Sequence, residues 1–375
     1  MAALPAVSIT TDASAPIVDK ETYIGAGLTI AATDDFPAFT GRASVKGRGN
    51  STWVIHPKKP YRIKLNSTAG LLGMPSDKNW VLLANYSDKT LLRNRTSFEF
   101  SRRLGRAWTP RAVPVEVTLN GVYLGVYDLV EQVRVAGDRV DITETKDSTA
   151  PEAGGYLVEI NERMDDPVCW RTLKGVAVCI KAPDPGTDVQ NTYIKDYIQD
   201  AENSLFTADS MAYQAYFDVD ALIDWYLVNE LFKNPDSKDW GSIYIQKDAG
   251  GKLTYGPVWD FDLAAGNRDY FDATPQGFWT ATAPWLEQMA HVDPAIKTRV
   301  RARWNAMKPQ IDTLPAYIDA QAWALSEAQA RNFTKWPILN QYVWPNSEVA
   351  GSYQGEVDFF RNWMVSRIAW MDANL

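Results

Sequence analysis

The hydrophobic period changes once along this chain, and that change limits the fold more than any other feature. From Gly41 to about Gln132, apolar residues mostly recur at every second position, as in ASVKGRG, YRIKL, NWVLLAN, VPVEVTLN and VYLGVYDLVEQV. That is the period of strands with one buried face. Asn120-Gly121, between VEVTL and VYLGV, is the strongest two-residue hairpin signal. One segment departs from the pattern: Asp88–Leu104 has helical spacing and is followed by Gly105, which predicts a helix inserted between strands with a glycine stop. A further strand pair, GGYLVEIN and CWRTLKGVAVCIKAP, precedes a switch to helical period after about residue 186. Helices are expected over 188–203, 210–234, 294–311, 316–332 and 349–373. The order predicts an α+β fold of two lobes around a cleft. Its parts are an N-terminal strand segment (1–40), a β-rich lobe with one embedded helix (41–150) and a mostly helical lobe (151–375).

Composition narrows the function. With 38 Lys and Arg against 46 Asp and Glu, the net charge is −8, which argues against a general nucleic-acid binder. No run of about 20 apolar residues is present to span a bilayer, and the first residues lack the basic start and apolar stretch of a signal peptide. Two cysteines, Cys169 and Cys179, exclude a four-cysteine zinc site. They are equidistant from a turn near Lys174-Gly175, so a cross-strand disulfide and two buried thiols both fit. With only two histidines, His56 and His291, any metal would take mainly oxygen ligands, which suits Mg²⁺ or Mn²⁺. Most of the fifteen tryptophans fall in helical patterns and read as core.

Two segments carry the chemistry. In VNELFKNPDSKDWGSIYIQKDAGGKLTYGPVWDFDLAAGN, a helix ends at Asn234-Pro235 and leaves Asp236 and Asp239 in the following loop. A hairpin then delivers Asp260 and Asp262 at a strand end, where alternate residues share a face. An arbitrary Asp-X-Asp is most often a solvated turn. Here Trp259, Phe261 and Leu263 enclose the pair, and enclosed carboxylates without a partner are costly. Asp236, Asp260 and Asp262, converging with Ser242 at the strand end, therefore make a candidate hard-cation site. In KGRGNSTWVIHPKKPYRIKL, a glycine turn offers free N–H groups, followed by Lys58, Lys59, Arg62 and Lys64; amides with cations suit phosphate oxygens. Alone this reads equally as a basic solvated hairpin. Together the two segments are the halves of a phosphoryl-transfer site. A strand ending at Glu131-Gln132 reads either as an ordinary edge strand or as a hinge whose backbone would meet a purine. Carbohydrate chemistry is the weaker alternative, since Asp260 and Asp262 are too close in sequence to flank a glycosidic bond.

The runs KGRGNSTW, KKPYRIKL, LLGMPSDKNWVLLANYSDKTLLRN, VEVTLNGVYLGVYDLVEQV, GGYLVEIN and GPVWDFDLAAGN, in that order, strongly resemble the CotH kinase family, relatives of spore-coat protein H. The resemblance implies an atypical protein-kinase-like two-lobed fold and ATP-dependent, metal-dependent phosphorylation of Ser or Thr on a structural or surface protein. It implies Asp236 as the catalytic Asp, with Asp239 its competitor, and Asp260 as principal metal ligand helped by Asp262 and Ser242. Lys64 would be the phosphate-binding strand lysine, held by Glu99 of the embedded helix. Arg48, Asn50, Ser51 and Lys59 would be phosphate-loop contacts, with Glu131 and Trp259 also on the nucleotide. Family members occur in spore coats and on surfaces, so a spore, particle or extracellular location is expected, with cytoplasmic synthesis also compatible. A non-catalytic structural protein that keeps the fold is the alternative.

Overall fold

A computed structural model describes residues 3–106, 108–145 and 149–375. Seven strands form a closed barrel: β1 (Ala6–Thr11), β2 (Ile24–Ile30), β3 (Phe39–Gly47), β4 (Tyr61–Ala69), β5 (Asp77–Leu83), β6 (Ala112–Leu119) and β7 (Val122–Glu131). Their order is β1-β2-β3-β4-β5-β7-β6, and a parallel pairing of β1 with β6 closes the ring. The first forty residues thus supply two staves of the barrel and are not a separate segment.

Inside, alternate residues such as Ile9, Leu28, Val45, Ile63, Trp80, Val117 and Leu129 are buried together, as period two requires. The outer faces of β5 and β7 are buried as well, through Val81, Leu83, Val126 and Val130. That is why these two strands read as nearly continuous apolar runs. Asn120 and Gly121 both have positive φ (49° and 78°), the backbone a two-residue hairpin turn needs. The Asn120 side chain accepts from the Thr11 N–H at 2.8 Å and so fastens the turn to β1.

A short helix α1 (Ser51–Ile55) lies between β3 and β4, and α2 (Arg93–Arg103) between β5 and β6. The latter starts five residues after the position expected from periodicity. Asp88 explains the delay: its carboxylate accepts from the backbone N–H groups of Thr90, Leu92 and Arg93, holding residues 88–92 in a capping loop. Gly105, at φ 73°, ends the helix. Although it is inserted between barrel strands, α2 packs on helices of the C-terminal half.

Beyond the barrel lies a second, antiparallel sheet. It comprises β8 (Tyr156–Ile160), β9 (Cys169–Arg171), β10 (Ala177–Ala182), β11 (Ile243–Lys247) and β12 (Thr254–Tyr255), in the order β12-β11-β8-β10-β9. Cys169 faces Cys179 across β9 and β10, and the two form a disulfide. The helices are α3 (Asp188–Ser204), α4 (Val219–Leu231), α5 (Leu286–Val292), α6 (Ala295–Ile311), α7 (Leu314–Ala324), α8 (Ser326–Lys335) and α9 (Tyr353–Asn374). The single helix expected over 316–332 is two, divided at Leu325. Among the described residues, no helix is long and apolar enough to cross a membrane.

Helix α4 is buried on nearly every side, as a central helix is. Its Glu230 accepts from the Trp279 and Ala281 N–H groups and pairs with Arg367 of α9 at 2.6 Å, with both side chains fully buried. Removing one partner of such a pair leaves a buried charge uncompensated. Arg367→Ala should lower the unfolding free energy by about 3–5 kcal/mol, read as a reduced midpoint in urea denaturation.

Candidate active site

A cleft of about 880 Å³ opens between the barrel and the second sheet. Its barrel wall is Arg48, Arg62 and Val81; the segment Gln132–Val135 forms one edge; Leu157, Ile180, Lys181 and Tyr244 form the sheet wall; Trp259 lies at the base. Four cations, Arg48, Arg62, Arg134 and Lys181, therefore face one space, with Glu144, Asp166 and Asp184 also on its wall. The Arg48 guanidinium stacks 5.7 Å from the Trp259 ring centre. Burial pulls its pKa down, Asp260 opposes that, and the neighbouring Arg62 adds to the fall. Arg62 has no carboxylate partner among the described residues, and its Nε is buried without an acceptor. Lys181 is held by Asp166 (2.7 Å) and Glu159 (3.3 Å). Burial acts against its charge, but these two carboxylates outweigh it and raise the lysine pKa.

Behind Arg48 lie the carboxylates. Pro257 has no N–H to continue the ladder, and β12 stops at Tyr255. Asp260 and Asp262 are consequently not on an extended strand, as periodicity had them. The chain turns, Asp260 adopts φ 68°, and the pair meets through this turn. A left-handed backbone at a residue other than glycine is costly and tends to occur where function fixes it. Asn94 of α2 accepts from the Phe261 N–H at 2.7 Å, and Arg93 donates to the Ala264 carbonyl at 3.0 Å. Asn267 donates to the Asp262 carbonyl at 2.7 Å. Ser242 Oγ lies 3.4 Å from Asp260 Oδ2.

The electrostatics separate the carboxylates. Burial first, then the charges of Asp260 and Asp88, push the Asp262 pKa well above the usual range, and Asp262 and Asp260 are close enough to share a hydrogen bond. Asp236 follows α4 in a short 3₁₀ turn over Pro235–Ser237. Burial and the Asp260 charge push its pKa up to about 7, against the pull of Arg163 and Arg268. Asp239 is exposed, which favours Asp236 of the two. The three carboxylates do not converge into a tight cage. Among the described residues, the only group whose ligand atoms lie that close is Asp166, Cys169 and Cys179, and the disulfide occupies both sulfurs. Asp260, Asp262 and Ser242 are hard oxygen donors, and the crowding of carboxylates that raises the pKa of Asp262 and of Asp236 is what a bound cation would relieve. That donor set fits Mg²⁺ or Mn²⁺.

Other expected residues lie elsewhere. Lys64 is exposed on β4, opposite Ser44 and Asn79, and does not line the cleft. Arg62, two residues earlier on the same face, does. Glu99 pairs with Arg102 and Arg103 of its own helix, each at 2.9 Å, and not with Lys64, because α2 packs away from the cleft. Lys59 turns back to the Trp53 carbonyl and ring. Glu131 is fully buried and bound by Arg111 at 2.9 Å; the residues after it, from Gln132, form the cleft edge. Asn50 and Ser51 are exposed in the turn after β3 and at the start of α1. Gly49 has φ 85°, and a Cβ there would stand 2.2 Å from the Thr52 hydroxyl, so this turn requires glycine.

Arg62 was read from sequence as one of the cations after the glycine turn. Lys181, Arg163 and Asn94 were not, and nothing local marks them.

With this geometry in hand, residues 45–371 match the family described as CotH kinase protein, and the chain belongs to that family. No curated protein matches the chain. The match runs from β3 to α9 and so includes the cleft, the glycine turn and all three carboxylates.

The raised pKa of Asp236 has a consequence for stability. Between about pH 4 and pH 7 the folded state binds more protons at this site than the unfolded state, so stability falls as pH rises through that window and stays lower above it. Without divalent cations, Asp236→Asn should melt higher than wild type at pH 8 and at the same temperature as wild type at pH 4. Scanning calorimetry in chelator would check this.

Proposed function

We propose that the chain is an ATP-dependent protein kinase of kinase-like, two-lobed construction. The barrel side holds the nucleotide, and the helical side holds the metal and the acceptor. The observation that carries the reading is the adjacency of a cleft lined by Arg48, Arg62, Arg134 and Lys181 to a group of buried carboxylates, with Arg48 between them. A polyanion is attracted to the first and a divalent cation to the second.

In this reading the nucleotide base lies along Gln132–Val135 and over Trp259, and Arg48, Arg62 and Lys181 bind the phosphates. Mg²⁺ or Mn²⁺ held by Asp260 and Asp262, with Ser242 beside them, would supply positive charge against the phosphate oxygens. The acceptor hydroxyl oxygen of a Ser or Thr attacks the γ-phosphorus. The new O–P bond forms as the bond from that phosphorus to the β,γ-bridging oxygen breaks, and the electron pair leaves on ADP. Asp236 receives the hydroxyl proton, a role suited to a carboxylate whose pKa is near neutrality. Asn94, Arg93 and Asn267 hold the carboxylate loop, so that catalysis is mainly positioning and electrostatics. An acceptor in a structural or surface protein is in keeping with the family.

The test is phosphate transfer from γ-labelled ATP with Mg²⁺ or Mn²⁺ to a generic protein acceptor. Asp236→Asn and Asp260→Ala should each reduce transfer by about 100-fold or more while remaining folded. Arg62→Ala should raise KM for ATP, and Lys64→Ala should leave it unchanged. Wild-type protein with neither transfer nor metal-dependent ATP binding would overturn the kinase reading.

A further inference from the structure

The loop 161–168 joins β8 to β9 and is fastened at both ends. Asn161 bonds through its side chain to Asp165 at 2.7 Å, and Cys169 closes the far end through the disulfide. The loop carries Arg163 to a place where three elements converge. From the glycine turn comes Asn50, whose amide lies between Lys20 and Arg163: in one orientation its oxygen accepts from Lys20 Nζ at 3.3 Å, and in the other from Arg163 Nε at 3.1 Å and Nη2 at 3.3 Å. From the strand side comes Gly241, next to Ser242. A Cβ at Gly241 would lie 3.0 Å from Nη2 and 3.2 Å from Nη1, so the guanidinium rests against bare backbone. From the end of α4 comes Asp236, whose charge the guanidinium favours.

A structural arginine on this surface finds a carboxylate at close range, as Arg171 does with Glu162 (2.5 Å) and Arg303 with Asp224 (2.7 Å). Arg163 does not. Its carboxylate contact is to the half-exposed Asp165 at 3.6 Å, and Nη1 has no hydrogen-bond acceptor among the described residues. A planar fork with free donors, fixed between a phosphate-type turn and a carboxylate, matches a phosphoryl group.

We propose that Arg163 binds the terminal phosphate of the nucleotide, on the side of the glycine turn that faces Asp236. The proposal rests on the kinase reading and assigns it a specific contact: Arg48, Arg62 and Lys181 serve the cleft, and Arg163 reads whether a third phosphate is present. It follows that the residue separates nucleoside triphosphate from diphosphate.

The experiment is calorimetric titration of the full chain with the non-hydrolysable triphosphate AMPPNP and with ADP, in Mg²⁺, for wild type, Arg163→Gln and Arg163→Lys. Arg163→Gln should bind AMPPNP about tenfold or more weakly and bind ADP as wild type does, and Arg163→Lys should fall between. Equal AMPPNP affinity in wild type and Arg163→Gln would overturn the proposal and leave the kinase reading standing. An equal loss for AMPPNP and ADP would also overturn it, since the effect would then not lie at the third phosphate. Wild-type protein that binds neither nucleotide would overturn the kinase reading itself.

Discussion

The Asp88–Arg93 pair, 2.6 Å long and fully buried, sets where the carboxylate loop lies. Asp88 caps the start of α2 with one oxygen and grips the Arg93 side chain with the other. Arg93 in turn reaches the Ala264 carbonyl, and its neighbour Asn94 takes the Phe261 N–H. A helix inserted between two barrel strands thus fixes a loop that lies more than 160 residues away in sequence. A buried ion pair contributes little to stability by itself, because desolvation offsets the attraction. Its use here is geometric. Each remaining donor has one acceptor, so the loop has one position.

Charge is concentrated unevenly about the cleft. Arg48 and Arg62 stand on its barrel wall, with Lys181 neutralised by Asp166 and Glu159 opposite, and Asp236, Asp260 and Asp262 lie behind Arg48. Each group of like charge is unfavourable alone: the Arg48 pKa is lowered partly by Arg62, and the Asp236 pKa is raised partly by Asp260. Arg48 relieves part of both, since it stands over Trp259 within reach of the carboxylates. Such repulsion, offset by packing elsewhere, is the pattern expected of a site that takes a charged ligand, as the proposed function has it.

Much of this was legible in the residues, and the losses have identifiable causes. Period two gave five of the barrel strands, short apolar pieces within residues 1–40 gave the other two, and Asn120-Gly121 gave the β6–β7 hairpin, because these signals are local. The embedded helix was visible, but its partner was not, since periodicity says which face is apolar and not what covers it. The pairing of Lys64 with Glu99 came from the family resemblance, and the packing of α2 away from the cleft leaves it unmade. Asp260 and Asp262 were found as a pair through an assumption of extended chain that Pro257 and the left-handed Asp260 make untrue; they meet through a turn instead. Lys181, Arg163 and Asn94 are ordinary polar residues in sequence. Only the pairing of β8 with β10 and β11, and the packing of α2, bring them to the site.

The parallel closure of the barrel has a consequence for how the chain is assembled. Strand β1 bonds to β2 at once, but its other neighbour is β6, and Thr11 meets Asn120 across 109 residues. Until residue 119 has been made and β6 is in place, the nascent chain exposes an unpaired edge on each of these strands, and such edges recruit other chains. Joining them is a non-local step whose entropy must be met before its contacts form, which makes it slow relative to helix formation. β1 and β2 lie outside the region that matches the family. The two strands that complete the ring beside β3 and β6 thus come from outside the matched region.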